Sequence, residues 1–244
     1  MDDKKDPYSD YNVSKRAMES LSPRKILMRA HETFGTSPWI ACSFGKDSMV
    51  LLGLLRELGI LEKLRILWID TGYDFAETLE FKDRIQREWN LQLYTAAPRH
   101  TREEFEKEYG TELYHTNPSL CCRLNKVQPL SNFFAEHDVY NWISALRRDE
   151  SPGRANIQIL EYERDGRRLK INPLVNWTHD DVWDYLNTNK IPYNPLYDQG
   201  YRSLGCEPCS KAGVVGRFEE TSEREGRWTG TEKAGGECGI HTEL

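Results

Sequence analysis

Trp39-Ile40-Ala41-Cys42-Ser43-Phe44-Gly45-Lys46-Asp47-Ser48-Met49-Val50-Leu51-Leu52 is the stretch that decides the fold. Its first four residues form an apolar run of strand character. Met49 opens a longer segment, continuing to Leu58, with the length and composition of a helix. Only the short loop Ser43-Phe44-Gly45-Lys46-Asp47-Ser48 separates the two. A helix that starts there turns unpaired backbone N–H groups and a positive dipole end toward any anion beside it. Gly45 allows a phosphate to approach the backbone, and the Ser43 and Ser48 hydroxyls add donors. The spacing is not that of G-x-x-x-x-G-K-[ST], so a Walker-type nucleotide triphosphatase is not indicated.

Outward from this unit the pattern repeats. Arg65-Ile66-Leu67-Trp68-Ile69 reads as a second strand ended by Asp70-Thr71-Gly72, with Phe75 to Trp89 as its helix. Leu91 to Thr95 and Val139 to Ser144 are further strands, and Arg102 to Tyr109 and Cys121 to His137 are helices, the latter kinked or broken at Pro129. Glu161 to Ile171 reads as a hairpin turning at Asp165-Gly166, and Thr178 caps a helix running to about Asn187. Repeated β-α units predict an α/β fold in three layers, a largely parallel twisted sheet flanked by helices. Ligands of such open sheets bind beyond the C-terminal strand ends, which makes Asp70, Thr71 and Gly72 ligand-facing candidates. The expected organisation is an N-terminal helical segment over 1–36, a nucleotide-binding domain over 37–212 and a mobile tail over 213–244. The tail is rich in Gly, Glu, Thr and Arg with little apolar periodicity.

A chain of 244 residues buries a core without covalent staples. The start Met1-Asp2-Asp3-Lys4-Lys5-Asp6 is charged and no apolar stretch approaches the ~20 residues of a membrane span, so a cytoplasmic protein with no membrane partner is expected. A net charge of −6 speaks against nucleic acid as a partner while leaving room for a local basic pocket.

In a reducing compartment, grouped cysteines mean metal binding or redox chemistry. Cys42, in an apolar run, reads as core. Cys121-Cys122 and Cys206-Glu207-Pro208-Cys209 supply four thiolates able to converge on one centre, either zinc or iron–sulfur. Adjacent cysteines have Cα atoms only ~3.8 Å apart and reach a multi-iron cluster more readily than one small tetrahedral ion, so a 4Fe-4S cluster is expected ahead of zinc. Lys126, one helical turn after Cys122, is placed to stand between an anionic cluster and an anionic substrate. Cys238, in a Gly-rich tail with nothing around it to make it structural, reads as a nucleophile.

The loop Ser43 to Ser48 resembles the PP-loop of the adenine-nucleotide α-hydrolase-like superfamily, which implies an adenylyl nucleotide ligand. With Glu237-Cys238-Gly239-Ile240-His241 the chain resembles the assimilatory adenylyl sulfate (APS) and phosphoadenylyl sulfate (PAPS) reductases, whose tail carries Glu-Cys-Gly-Leu-His. The similarity runs in order through Asp70-Thr71-Gly72-Tyr73, Cys121-Cys122 with Lys126, Arg147-Arg148-Asp149-Glu150-Ser151, Trp177-Thr178, Ile191-Pro192-Tyr193-Asn194-Pro195-Leu196, Gly200 to Cys206, and Arg224-Glu225-Gly226-Arg227-Trp228.

The resemblance implies that Cys238 attacks the sulfur of the sulfonucleotide, releases the nucleotide monophosphate and carries an S-sulfonate. Thioredoxin or glutaredoxin then reduces it to give sulfite for cysteine biosynthesis, and relatives suggest a homo-oligomer. A thiolate that meets phosphate and sulfate charges needs concentrated positive charge, for which Lys126, Arg147, Arg148, Arg154, Arg224 and Arg227 are the candidates. His241 is placed to lower the pKa of Cys238 or to orient substrate. A tail that delivers Cys238 first to substrate and then to a bulky reductase has a reason to move.

Three positions depart from the family pattern: Lys46-Asp47-Ser48 is closer to nucleotide-splitting cousins, Ala145 stands where many reductases have Gly, and Asn125-Lys126-Val127 is similar to the clusterless PAPS branch. APS is the first expectation and PAPS the alternative. A PP-loop ATP pyrophosphatase or tRNA-thiolating enzyme, and a non-enzymatic redox sensor, are more distant ones.

Overall fold

The inner strands are largely buried because helices cover both faces of the sheet they form. The structure is a computed structural model that describes residues 18–163, 166–213 and 222–241. Strand β1 (Trp39–Ala41) lies inside a six-stranded sheet, between β2 (Arg65–Ile69) and β4 (Asn141–Ile143), both parallel to it. Outside them lie β3 (Gln92–Ala96), parallel to β2, and β6 (Leu169–Ile171), parallel to β4. The edge strand β5 (Leu160–Tyr162) is antiparallel to β6, giving the order β3-β2-β1-β4-β6-β5. The expected hairpin is therefore present, with Asp165 of its turn outside the described residues.

Side-chain alternation along the strands separates two cores. On one face Ile40, Ile66, Trp68, Ile143 and Ile171 pack against α1 (Pro23–Phe34), α2 (Lys46–Glu57), α3 (Ala76–Glu88) and α7 (His179–Thr188). On the other, Trp39, Leu67, Ala96 and Trp142 meet Leu130, Phe133 and Phe134 of α6 (Gln128–Glu136). This is the expected three-layer α/β arrangement. Helix α2 is apolar all round because it is buried all round, from Met49 through Leu55.

Two boundaries differ from the sequence reading. Helix α2 begins at Lys46 rather than Met49, so the charged end of the loop is already helical. The expected break at Pro129 is instead one wide π-helical turn, Arg123–Val127, between α5 (Pro118–Cys122) and α6. Proline has no N–H to donate backward and its ring crowds the preceding turn, and a π turn just upstream accommodates both. That turn carries Lys126. The helix α4 (Arg102–Tyr109) starts with a full Thr101–Glu104 capping box.

Because five strands run the same way, the loops after β1, β2 and β4 gather at one rim of the sheet. The described part of the tail, 222–241, lies back across that rim. Lys211 N–H donates to Gly226 O at 2.9 Å and Trp228 N–H to Cys209 O at 3.0 Å. Glu223, Arg224, Arg227 and Trp228 are buried there. Residues 214–221 and 242–244 of the tail, and residues 1–17 of the N-terminal segment, lie outside the described residues. Among the described residues no helix is long and apolar enough to cross a membrane.

Candidate active site

A cavity of about 210 Å³ lies between the rim loops and the tail. Of the residues singled out from sequence it gathers Ser43, Gly45, Lys46, Asp47, Ser48, Thr71, Lys126, Arg154, Arg224, Arg227, Cys238 and His241. Cys42 also reaches its wall, as a buried thiol that desolvation pushes up to about 12. In the loop, Ser43 N–H donates to Ser48 Oγ at 3.1 Å and the two hydroxyls are 3.1 Å apart. Tyr197, which the sequence reading overlooked, accepts the Lys46 N–H at 3.1 Å and stands 3.1 Å from where a Cβ on Gly45 would lie.

The loop charges are already paired. Lys46 is buried, its Nζ 3.1 Å from Asp47 Oδ2 and also bonded to Glu223. Arg147, fully buried, donates to Asp47 at 2.5 Å, to Glu223 at 2.6 Å and to Asp149 at 3.2 Å. Two cations interleave two carboxylates, which offsets the cost of desolvating all four. Burial alone would raise the Asp47 and Glu223 carboxyls, but Lys46 and Arg147 hold both below the ordinary range, helped at Glu223 by His179 at 3.2 Å. Glu223 comes from the tail, where nothing in its charged surroundings distinguished it from a solvated residue.

Phe44, at φ 53°, turns into the core onto Trp68, their rings 5.7 Å apart. Asp70 accepts the Gly72 N–H at 2.9 Å, bracing the turn after β2. Arg148 pairs with Glu19 at 2.8 Å and donates to Ile157 O at 2.7 Å. Phe44, Asp70, Gly72, Arg147 and Arg148 are not among the cavity's lining residues.

The remaining cations hold the tail. Arg154 binds Glu237 through two hydrogen bonds of 2.7 and 2.8 Å and Glu150 at 2.5 Å. Arg224 donates to Gly236 O at 2.8 Å and lies 3.2 Å from Glu237. Arg227 reaches Leu204 O at 2.7 Å and Cys209 O at 3.2 Å, stacking on Trp228 with 4.6 Å to the ring centre. Cys238 is thereby presented to the cavity. Burial would raise its thiol, but Lys126, the Ile240 N–H and Arg224 together lower it, with Glu237 opposing. His241 stacks on Trp142 at 5.9 Å, and burial together with Lys170, Arg154, Arg224 and Lys126 holds it well below its ordinary value. An imidazole kept neutral cannot lower the thiol by its charge, so that part falls to Lys126. The buried His241 Nδ1 has no hydrogen-bond partner among the described residues.

Cys121, Cys122, Cys206 and Cys209 converge on a second, smaller cavity, whose wall Lys126 and Trp228 share with the first. Thr71 Oγ1 is 3.3 Å from Cys206 Sγ, and Asn125 Nδ2 is 3.7 Å from Cys121 Sγ. Burial pushes Cys121 and Cys209 up to about 12 and Cys122 up to about 11, neighbouring thiols adding to it. Among the described residues the one triple of metal-donor side chains within 4.8 Å is Asp47, Glu150 and Glu223. Their carboxylates already face Lys46, Arg147 and Arg154.

A model of the phosphoadenosine phosphosulfate reductase domain matches residues 37–212. The chain is 37% identical to an adenosine 5'-phosphosulfate reductase of Shouchella clausii, over 96% of this chain and 93% of that one. It is 36% identical to a phosphoadenosine 5'-phosphosulfate reductase of Gloeobacter violaceus, over 93% and 91%. A crystal structure of phosphoadenylyl-sulfate reductase from Candida auris, in complex with phosphate, superposes with a TM-score of 0.69 at 28% identity, covering 82% of this chain and 94% of that one.

Proposed function

Because the chain belongs to the phosphoadenosine phosphosulfate reductase family, we propose that it reduces adenylyl sulfate to sulfite and AMP in sulfate assimilation, using Cys238 as nucleophile. The observation that carries this reading is the meeting of Cys238 with the nucleotide loop, Lys126, Arg154 and Arg224 around one cavity. The Cys238 thiolate attacks the sulfate sulfur, the bond from sulfur to the bridging phosphate oxygen breaks, and AMP leaves with that electron pair. An S-sulfonate then rests on Cys238. A thioredoxin or glutaredoxin dithiol supplies two electrons, releasing sulfite, restoring the Cys238 thiol and leaving as a disulfide. Lys126 and Arg224 favour the thiolate, and Lys126, Arg154, Arg224 and Arg227 are positioned to offset the charge of the sulfonucleotide. Ser43, Gly45 and Ser48 border the place for its phosphate. His241, neutral, orients substrate through its unpaired ring nitrogen.

Cys121, Cys122, Cys206 and Cys209 would hold a 4Fe-4S cluster. The four thiols, three of them buried and Cys206 half-buried, face one cavity, yet no three of them lie within 4.8 Å of one another. A lone zinc, with Zn–S near 2.3 Å, would draw its sulfurs to under about 4 Å. When bound, the cluster supplies fixed negative charge beside Lys126 and ties the middle of the chain to its end, while the electrons come from the dithiol. Residues 222–241 of the tail are proposed to leave the rim after sulfonate formation so that the reductase reaches Cys238. A cytoplasmic setting keeps the thiols reduced, and the homo-oligomer suggested by the resemblance is checked by sedimentation.

The test is a sulfite assay with reduced thioredoxin. The wild-type chain is expected to turn over APS, and Cys238→Ser to form no sulfite while still binding the nucleotide; normal turnover by that variant sinks the assignment. PAPS is the second reading, favoured by the likeness to the Gloeobacter violaceus reductase. Rates with APS and PAPS side by side decide between them.

A further inference from the structure

Arg154 and Arg224, which line the cavity with Cys238, are both engaged by the tail, of which Arg224 is itself a part. Arg154 and Arg224 are each buried, and the acceptor they share is the Glu237 carboxylate, held at 2.7 and 2.8 Å by Arg154 and at 3.2 Å by Arg224. Arg224 is further engaged by Gly236 O at 2.8 Å, one residue earlier. A planar carboxylate on two guanidinium groups, adjoining the nucleophile, has the charge and hydrogen-bond pattern that an oxyanion of the substrate would present. Glu150, 2.5 Å from Arg154, balances one of the two buried positive charges, and leaving the other without a counter-charge is costly, so a second anion beside Glu150 is favoured there whether or not substrate is present. We propose that Glu237 is an internal stand-in for a substrate oxyanion: it occupies the Arg154–Arg224 subsite in the free enzyme and yields it when the sulfonucleotide enters.

The consequence is a coupling between substrate occupancy and the tail. While Glu237 holds the arginines, Cys238 is parked in the cavity. When the substrate anion takes them, the tail beside Cys238 loses the two Arg154–Glu237 hydrogen bonds that tie it to the rim and keeps the Arg224 bond to Gly236 O, so that it is readied to leave once the sulfonate has formed. This inference rests on the sulfonucleotide reading above.

The experiment compares Glu237→Gln with Glu237 intact in the full-length, anaerobically purified chain, with Cys238→Ser in both to prevent turnover. Hydrogen exchange over residues 233–241 reports tail docking, and calorimetry with adenylyl sulfate reports binding. Loss of charge-assisted bonds of this kind corresponds to roughly a tenfold change in an equilibrium. Glu237→Gln is therefore expected to exchange roughly tenfold faster in the tail without ligand and to bind adenylyl sulfate several-fold more tightly. Glu237→Asp, which keeps the charge on a shorter reach, falls between. Faster exchange with weaker binding makes Glu237 a latch that cooperates with substrate and overturns the proposal. Tighter binding with unchanged exchange makes it a bystander charge and also overturns it. If adenylyl sulfate binds neither protein, the enzyme reading fails and the proposal with it, whereas unequal exchange would still show that Glu237 anchors the tail.

Discussion

At the residue scale the chemistry turns on which cation is free to act. Lys46 and Arg147 are locked to Asp47 and Glu223, whereas Lys126 faces Cys238 from one side and the four thiols from the other. Lys126→Met is therefore expected to raise the midpoint of Cys238 alkylation against pH by roughly one unit or more, since an opposite charge near a thiol favours its ionised form. An unchanged midpoint would move the credit to Arg224 and the Ile240 N–H. Glu223→Gln removes the counter-charge shared by two buried cations, and a loss of roughly 3–5 kcal/mol in denaturant unfolding is expected. The same pair fixes an acid response. Asp47 and Glu223 have lowered carboxyl values in the folded state, so their contribution to stability is complete above about pH 4.5. It is lost as pH falls through those lowered values, a loss that Glu223→Gln should blunt in acid titrations of stability.

At the scale of elements, the tail and the Cys206–Cys209 turn behave as one piece. The Arg227 guanidinium lies over Gly205, so close that a Cβ there would fall 2.2 Å from Nη2 and 2.5 Å from Cζ. Gly205→Ala must push the guanidinium off Leu204 O and Cys209 O. The expected result is a KM for the sulfonucleotide raised about tenfold, on the scale of one charge-assisted contact, with a chain that still folds. Unchanged kinetics would place Arg227 outside the substrate's reach. The π turn Arg123–Val127 is the other such element, because it sets Lys126 in the wall between the two cavities.

For the whole molecule, the four cysteines join α5, in the middle of the chain, to the turn on which the tail rests. Removing the proposed cluster by chelation should therefore do more than bleach the protein. It should lower the thermal midpoint and speed hydrogen exchange in both 118–122 and 222–241, because Trp228 and Arg227 bond to the Cys209 carbonyl. Iron and sulfide analysis of anaerobically purified protein, with its absorption spectrum, establishes the starting state. A colourless zinc protein with an unperturbed tail would refute this coupling.

The α/β class, nearly every strand, the loop between β1 and its helix and the grouping of the cysteines were legible in the sequence. Those signals are local: an apolar run, a helix start, a spacing of thiols. Only the tertiary structure decided which charges are available. Lys46 and Arg147 looked like anion binders but are neutralised by Glu223, which lies 177 residues beyond Lys46 and 76 beyond Arg147 along the chain. Tyr197 entered the site unannounced, Glu237 and Trp228 stood in quoted motifs with no role read for them, and Arg148 left the site for Glu19. Pairing between charges distant in sequence depends on how the tail crosses the rim of the sheet, and no local pattern encodes that crossing.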